Sequence, residues 1–472
     1  MYPNPLPRDR AASRARLRSG TWMALFLWLL LWGGYNSGFW IFRDPNFPTS
    51  TWNLIHGVRA LFPLLAGWLG ILVILSRSTL SLSVLEGPLG LMIPFTLFGA
   101  ISSVFLSGDP PFALYWAAMF GSVLAVTFAA LASENPVESL SWVHNLNCVV
   151  CAAIMFGVLA SIPYLRDQAG QPVGSAPFQP RPGLFATRDI VGMPGTRNTG
   201  LARYAAVVGL AAMARLWRPK TDNWKRFPWL ALLCVSLYTL YKANGRAAIA
   251  GFLVGAWVIL WSQRARRAIM IAAAAVGAAL LYLVGFYSAF WRYYTRGGEF
   301  DPTLSGRTIT WQQGWELFLQ SPWVGLGFQA DRIFLDLHHM HDGLLQALTQ
   351  AGLLGTIPWL VALVLAWVLV FRLIERPVST ASLALPADVP GILAFLTVSS
   401  ITESNFAFYS AAWLIGAPLL GYVQCLAWQR RVFRSPAKAA RQVRPRFAQP
   451  EPAARGPGGN QLRPQMNADQ RK

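Results

Sequence analysis

The chain has 472 residues, of which 54% are hydrophobic types and only 13% charged, where a soluble domain carries roughly 25% charged residues. Mean hydropathy is +0.39, and apolar runs recur almost from end to end, leaving no stretch for a separate soluble domain. That excludes an ordinary water-soluble enzyme and describes an integral membrane protein. The 40 Lys and Arg against 20 Asp and Glu, net +20, would suggest nucleic acid as the partner of a soluble protein. Here the sidedness of the charge is what informs, and the partners expected are membrane lipids, not nucleic acid.

Residues 1–20 form a basic arm with Arg8, Arg10, Arg14, Arg16 and Arg18. The apolar stretch after it is too long for a signal peptide and is read as a retained anchor. A span needs about 20 mostly apolar residues. About twelve candidates lie near 21–40, 54–75, 84–106, 112–132, 140–165, 198–216, 228–243, 246–263, 268–290, 342–371, 388–403 and 407–428. The fold class is therefore an all-α polytopic membrane protein, with a transmembrane region over 21–434. Cys148, Cys151, Cys234 and Cys425 all fall within apolar runs, which argues for packing and against a disulfide framework or zinc ribbon.

Placing the N-terminus inside keeps most Lys and Arg cytoplasmic: the arm, Arg77, Arg218 to Arg226, Arg264 to Arg267, Arg372 to Arg376 and the tail. Both termini are then cytoplasmic, and Arg59, Arg203 and Arg215 lie within spans. Residues 435–472, rich in Arg, Pro, Ala, Gly and Gln, cannot support a packed core and read as a disordered basic tail.

Two segments depart from apolar helices and short loops, and both fall outside. The first, 166–197, is rich in proline and carries Arg166, Arg181, Arg188 and Arg197. In the second, 291–341, the pattern Arg307, Trp311, Trp315, Leu317 and Phe318 predicts an amphipathic helix on the membrane surface, ended by Ser321-Pro322 and Gly325-Leu326-Gly327. Three of the five histidines, His338, His339 and His341, cluster just before the span at 342–371. Its 30-residue length, roughly 45 Å of helix, exceeds the hydrocarbon, so His341 and Asp342 are expected in projecting first turns. Histidines so placed are either solvated interface groups or a site. The i,i+3 pair His338 and His341, with Asp336 and Asp342 close by, lacks a further ligand pair, so no metal is expected. Outward arginines run against the positive-inside tendency and suit phosphate or diphosphate binding. Arg246, between two apolar spans, is the sharpest case, since a charge there needs a partner or a cavity.

His341-Asp342 is followed nine residues later by Gly352-Leu353-Leu354-Gly355, which resembles the signature of the O-antigen ligases. Asn244-Gly245-Arg246-Ala247, Ser305-Gly306-Arg307 with Trp311, Pro322, Gly325 and Gly327, and Thr402-Glu403-Ser404 are similar to elements of the wider ligase and polymerase superfamily. One departure is Asp342, where the family more often has Asn, Ser or Gln; an acid beside the histidine would raise its basicity.

The resemblance implies a GT-C-like integral membrane glycosyltransferase of the bacterial inner membrane with a periplasmic site. It would transfer a preassembled glycan from undecaprenyl diphosphate to lipid A–core, without cofactor or metal. His341 would be the general base, an imidazole's ordinary pKa of about 6.5 making its neutral form available. Arg246 and Arg307 would hold the diphosphate. Arg188 and Arg197 are further candidates for donor or acceptor phosphates, and His338, Asp342 and Arg332 are expected in substrate binding. Gly352, Gly355 and Pro358 are placed to bend the His341 helix or let it pack closely. A polymerase of the same superfamily, a protein-glycosylating ligase and a lipid-linked glycan flippase or transporter are the competing readings. Internal symmetry of the transporter kind is not evident in the sequence.

Overall fold

The computed structural model describes residues 7–35, 51–77, 85–161, 198–217, 223–243, 245–262, 276, 307–335, 338–375 and 385–434. The chain divides into two units, Met1–Trp428 and Gln429–Lys472, and the site lies in the first. Among the described residues the elements are all helical. They are α1 (Pro7–Gly34), α2 (Thr51–Ala60), α3 (Phe62–Leu75), α4 (Met92–Phe105), α5 (Pro110–Leu131), α6 (Pro136–Ser161), α7 (Asn198–Leu216), α8 (Asn223–Ala243), α9 (Arg246–Ser262), α10 (Arg307–Gln320), α11 (Ala330–Phe334), α12 (Gly343–Glu375), α13 (Asp388–Ser399) and α14 (Ala411–Arg434).

Among the described residues five helical stretches are long and apolar enough to cross a membrane: Gly57–Leu75, Pro110–Leu131, Pro136–Ala160, Gly343–Glu375 and Ala411–Arg430. Four shorter apolar helices accompany them: Gly20–Gly34, Met92–Phe105, Arg246–Ser262 and Asp388–Ser399. The protein is a polytopic α-helical membrane protein. The candidate span 268–290 apart from residue 276, the loop 166–197 and residues 291–306 lie outside the described residues, as does the tail from 435. The expected span 388–403 is corrected by the structure: α13 ends at Ser399, and its 12 residues, roughly 18 Å of helix, are too few to cross alone.

Helices α5 and α14 form the interior, with 72% and 89% of their most apolar windows buried. Trp413 of α14 stacks flat on Phe120 of α5 at 4.5 Å between ring centroids, and Trp359 and Phe328 pack against the same aromatic group through Phe95. One buried polar group in this interior is fully engaged by its neighbours, as a medium without water favours. Asn147 of α6 accepts from the indoles of Trp28 and Trp32 at 2.7 and 2.8 Å, and its amide donates to the Leu414 carbonyl at 3.0 Å. One side chain thus ties α1, α6 and α14 together.

The expected long helix at 342–371 is present but broken. Gly352 has φ 57° and ψ −165°, so α12 is two helices, 343–351 and 353–375, meeting at a kink. A kink strands carbonyls below it and amides above it, and at this depth each must find a partner. The turn after α10 supplies them. Leu326 and Gly327 amides donate to the Thr349 and Gln350 carbonyls at 2.7 and 3.0 Å, while Leu353 and Leu354 amides reach the Pro322 and Trp323 carbonyls at 2.8 and 3.0 Å. Gly325 and Gly327 take positive φ to fold around it. Gly355 serves the other purpose expected of it: a Cβ there would lie 3.2 Å from the Phe95 Cα of α4.

The kink yields the first prediction. A Cβ at Gly352 would stand 2.3 Å from the Trp323 carbonyl carbon, in a conformation that L side chains rarely adopt. Gly352→Ala should cost on the order of 3 kcal/mol, read as a lower unfolding temperature of the purified protein in lipid nanodiscs, whereas Leu353→Ala should cost less.

Candidate active site

Three helix ends and one loop converge around Glu403. After Ser399 the chain runs through 400–410 without regular helix, and this loop is largely buried. Irregular backbone at such depth is tolerated only where protein groups satisfy it. Here Asn405 donates to the Leu396 carbonyl and Ser399 hydroxyl, Trp359 to the Phe406 carbonyl at 2.9 Å, and Gly343 to the Ser400 carbonyl at 2.8 Å. The loop is therefore a fixed platform, and it carries Glu403 inward with only 6% of its side chain exposed.

Three cationic or basic side chains face this carboxylate, and a fourth lies near one of them. Arg203 of α7 places Nη2 3.3 Å from Oε2. His341 places Nδ1 3.2 Å from the same oxygen. Arg307, the first residue of α10, has Nη2 3.6 Å from Oε1 while its Nη1 donates to the Thr402 carbonyl at 2.7 Å. Arg246, the first residue of α9, is close enough to repel Arg307. Burial alone would raise the Glu403 carboxyl; Arg203, the His341 hydrogen bond and Arg307 outweigh it and hold its pKa at about 2. Arg307 is pushed down by burial and by Arg246 and Arg203, with Glu403 opposing.

His341 has φ 53°, uncommon for a residue with a side chain, and its setting enforces that geometry. Trp311 of α10 donates to the Met340 carbonyl at 2.8 Å, Asp342 caps α12 by accepting from the Leu345 amide at 2.6 Å, and Ser404 donates to the Asp342 carbonyl at 3.2 Å. His341 and Asp342 thus precede α12, not within its first turn as the sequence suggests. The acid facing the imidazole is likewise corrected: it is Glu403, 62 residues on, while Asp342 points to its own helix cap. Burial keeps the Asp342 carboxyl above its usual range against the pull of the Leu345 and Leu344 amides.

Behind His341 lies a second carboxylate–imidazole pair. Asp331 of α11 is fully buried and accepts from His339 Nδ1 at 2.6 Å, the Met340 amide at 3.3 Å and Gln346 at 2.9 Å. The His339 and His341 rings meet edge to face at 4.6 Å. Burial drives the His339 pKa below its ordinary value although Asp331 pulls the other way; Asp331 itself stays below its range because His339 and Gln346 outweigh burial. This buried, wedged imidazole backs the partly exposed one of His341.

Of the residues singled out from sequence, His341, Arg246 and Arg307 come together. His338 is exposed and turns Nδ1 to the Leu335 carbonyl at 2.9 Å, away from Glu403. Arg332 acts electrostatically on Asp331 and His339. Arg188 and Arg197 lie outside the described residues, as do Asn244, Ser305, Gly306 and Asp336. Among the described residues no group of three or more His, Cys, Asp or Glu is placed to hold a metal ion. Sequence reasoning missed the roles of Glu403 and Arg203. Their signal was the same: a charge inside an apolar run is costly unless it has a task.

The motif resemblance is found again by comparison of a longer stretch. Residues 230–360 match the model of the O-antigen ligase family. That segment contains Arg246, Arg307, His341, Gly352 and Gly355, whereas Arg203 and Glu403 come to the site from outside it. The chain is also 29% identical over 137 residues to the exopolysaccharide production protein ExoQ of Rhizobium meliloti (strain 1021). That match takes in 26% of this chain and 32% of ExoQ, so the chain aligns with about a third of that relative. Over these parts of its length the chain is similar to the O-antigen ligase family and to a protein of exopolysaccharide production.

The depressed Glu403 pKa predicts an acid-labile site. A carboxyl lower in the folded than in the unfolded state stabilises fully above its unfolded pKa, about 4.3, and loses that contribution as pH falls through the folded value of about 2. The unfolding temperature should fall across that window, and Glu403→Gln should show a flatter acid limb.

Proposed function

We propose that this protein is a glycosyltransferase of the O-antigen ligase type, working on the periplasmic face of a bacterial inner membrane. It would transfer a preassembled glycan from undecaprenyl diphosphate to a sugar hydroxyl of lipid A–core. The observation that carries the reading is the arrangement of His341. Its imidazole is one-third exposed, oriented by a buried carboxylate, and set at the edge of a cluster in which Arg203 and Arg307 face one glutamate and Arg246 lies near Arg307.

The chemistry follows from the donor. A glycosyl diphosphate is already activated, so the protein must align two lipids, take a proton from the acceptor and stabilise the leaving diphosphate. With Nδ1–H donated to Glu403, the lone pair of His341 is on Nε2, which accepts the hydroxyl proton as oxygen attacks the anomeric carbon. The bond from that carbon to the diphosphate oxygen breaks, and the electron pair leaves with the diphosphate, held by Arg246 and Arg307. Attack from the face opposite the leaving group inverts the configuration.

The same geometry serves a polymerase, in which the acceptor is another lipid-linked glycan; the similarity to a protein of exopolysaccharide production keeps that second reading beside the first. The experiment that separates them is complementation of a Gram-negative strain that lacks its ligase but makes undecaprenyl-linked O-antigen and a compatible core. Wild type should give a lipopolysaccharide ladder on lipid A–core. Bare core with lengthened lipid-linked glycan would move the assignment to polymerase, and glycan crossing the membrane without transfer would refute both.

Within that assay His341→Ala should abolish the ladder, a loss of at least about 100-fold, whereas His338→Ala should leave transfer largely intact. Transfer surviving in the His341 variant would remove it as base.

A further inference from the structure

Resting on that reading, we propose that Glu403 occupies the place of the donor's diphosphate charge. Arg203 and Arg307 hold it in this state and pass to the diphosphate when donor binds, leaving Glu403 to His341 alone. Glu403 is then a positioning residue that makes the base dependent on donor, and Arg203 is a third diphosphate ligand.

Geometry supports an exchangeable pairing. At 3.3 and 3.6 Å the arginine contacts to Glu403 are longer than the roughly 2.7–2.9 Å of a good charge-assisted hydrogen bond, and neither is bidentate. Arg203 also donates from Nε to the Thr199 carbonyl of its own helix at 3.3 Å. Arg307 is fixed at one end by the Thr402 carbonyl and is free to re-aim only the other nitrogens. Both side chains stay about a quarter exposed, at 23% and 26%, while the carboxylate they share is buried. Their guanidinium groups therefore border the space outside, and Glu403 borders the protein.

Charge completes the argument. Arg203 and Arg307 bring one positive charge more than the Glu403 carboxylate they share, with the Arg246 charge acting beside them, and a glycosyl lipid diphosphate carries about two negative ones. Glu403 Oε2 is shared by Arg203 and His341. Whatever draws Arg203 away leaves that oxygen to the imidazole alone and tightens the hold on an Nδ1–H, which fixes Nε2 toward the acceptor. Without donor, Arg203 competes with the imidazole for the carboxylate oxygen, so the base is fully seated only when donor is bound.

The exchange predicts an unusual split. Removing the carboxylate charge should free the arginines and tighten diphosphate binding while disabling the base; a merely structural role would weaken both. The experiment measures binding of farnesyl diphosphate and of inorganic pyrophosphate to the full chain in neutral-lipid nanodiscs, wild type against Glu403→Gln, with transfer rates on the same preparations. The variant should bind both probes about threefold to tenfold tighter, the size of one or two partly exposed ion pairs, and its kcat should fall by about 100-fold or more. Unchanged or weaker binding by Glu403→Gln, with wild type binding normally, overturns the exchange while leaving the donor reading intact. Wild type binding neither probe overturns both. Should Glu403→Gln not fold, Arg203→Gln carries the test: it should weaken binding of both probes by about threefold to tenfold, and unchanged affinity overturns the proposal.

Discussion

The Glu403 carboxylate is the constraint on which the site depends. An ionised carboxylate enters a low-dielectric interior only with partners that outweigh the loss of water. Arg203, Arg307 and His341 are those partners, and they arrive from α7, α10 and the approach to α12. One buried charge therefore fixes three elements relative to each other. It also fixes which nitrogen of His341 faces inward, and a transfer reaction needs that orientation set before substrate arrives.

The second constraint is backbone. The kink at Gly352 and the buried loop after Ser399 are two interruptions of helix, and each is satisfied by a neighbour: the 321–328 turn closes the first, and α12 and α13 close the second. Helical membrane proteins tolerate such breaks where protein covers them, and they give rigid irregular backbone on which to mount side chains. The glycine pair of the His341 motif is explained on these terms. Gly352 makes the break and Gly355 lets the second half of the helix approach α4.

Much of this was legible in the sequence. Low charge and recurrent apolar runs gave the polytopic helical class, and the Trp, Leu and Phe spacing after Arg307 gave α10 within a residue of its observed end. Arg246, Arg307 and His341 were found from out-of-place charge and a family resemblance, and the structure brings them together. The 12-residue α13 was read as part of a span because hydropathy does not register where an apolar run stops being helical. Glu403 and Arg203, 200 residues apart, were passed over as partners because tertiary pairing of charges leaves no periodic trace. Asp342 was credited with influence on His341 from adjacency alone, whereas its role is a helix cap. Asp331 gave no signal at all, since its pairing with His339 depends on the fold of the intervening turn.

The central claim is that His341 and the arginine cluster move a glycan from a lipid diphosphate to a hydroxyl. The most direct test is single-turnover reaction of the purified protein in nanodiscs with a radiolabelled undecaprenyl diphosphate glycan and lipid A–core. The account predicts glycan on the acceptor and undecaprenyl diphosphate released in equal amounts, with inverted anomeric configuration. Donor recovered intact beside unmodified acceptor, under conditions where donor binds, would contradict it.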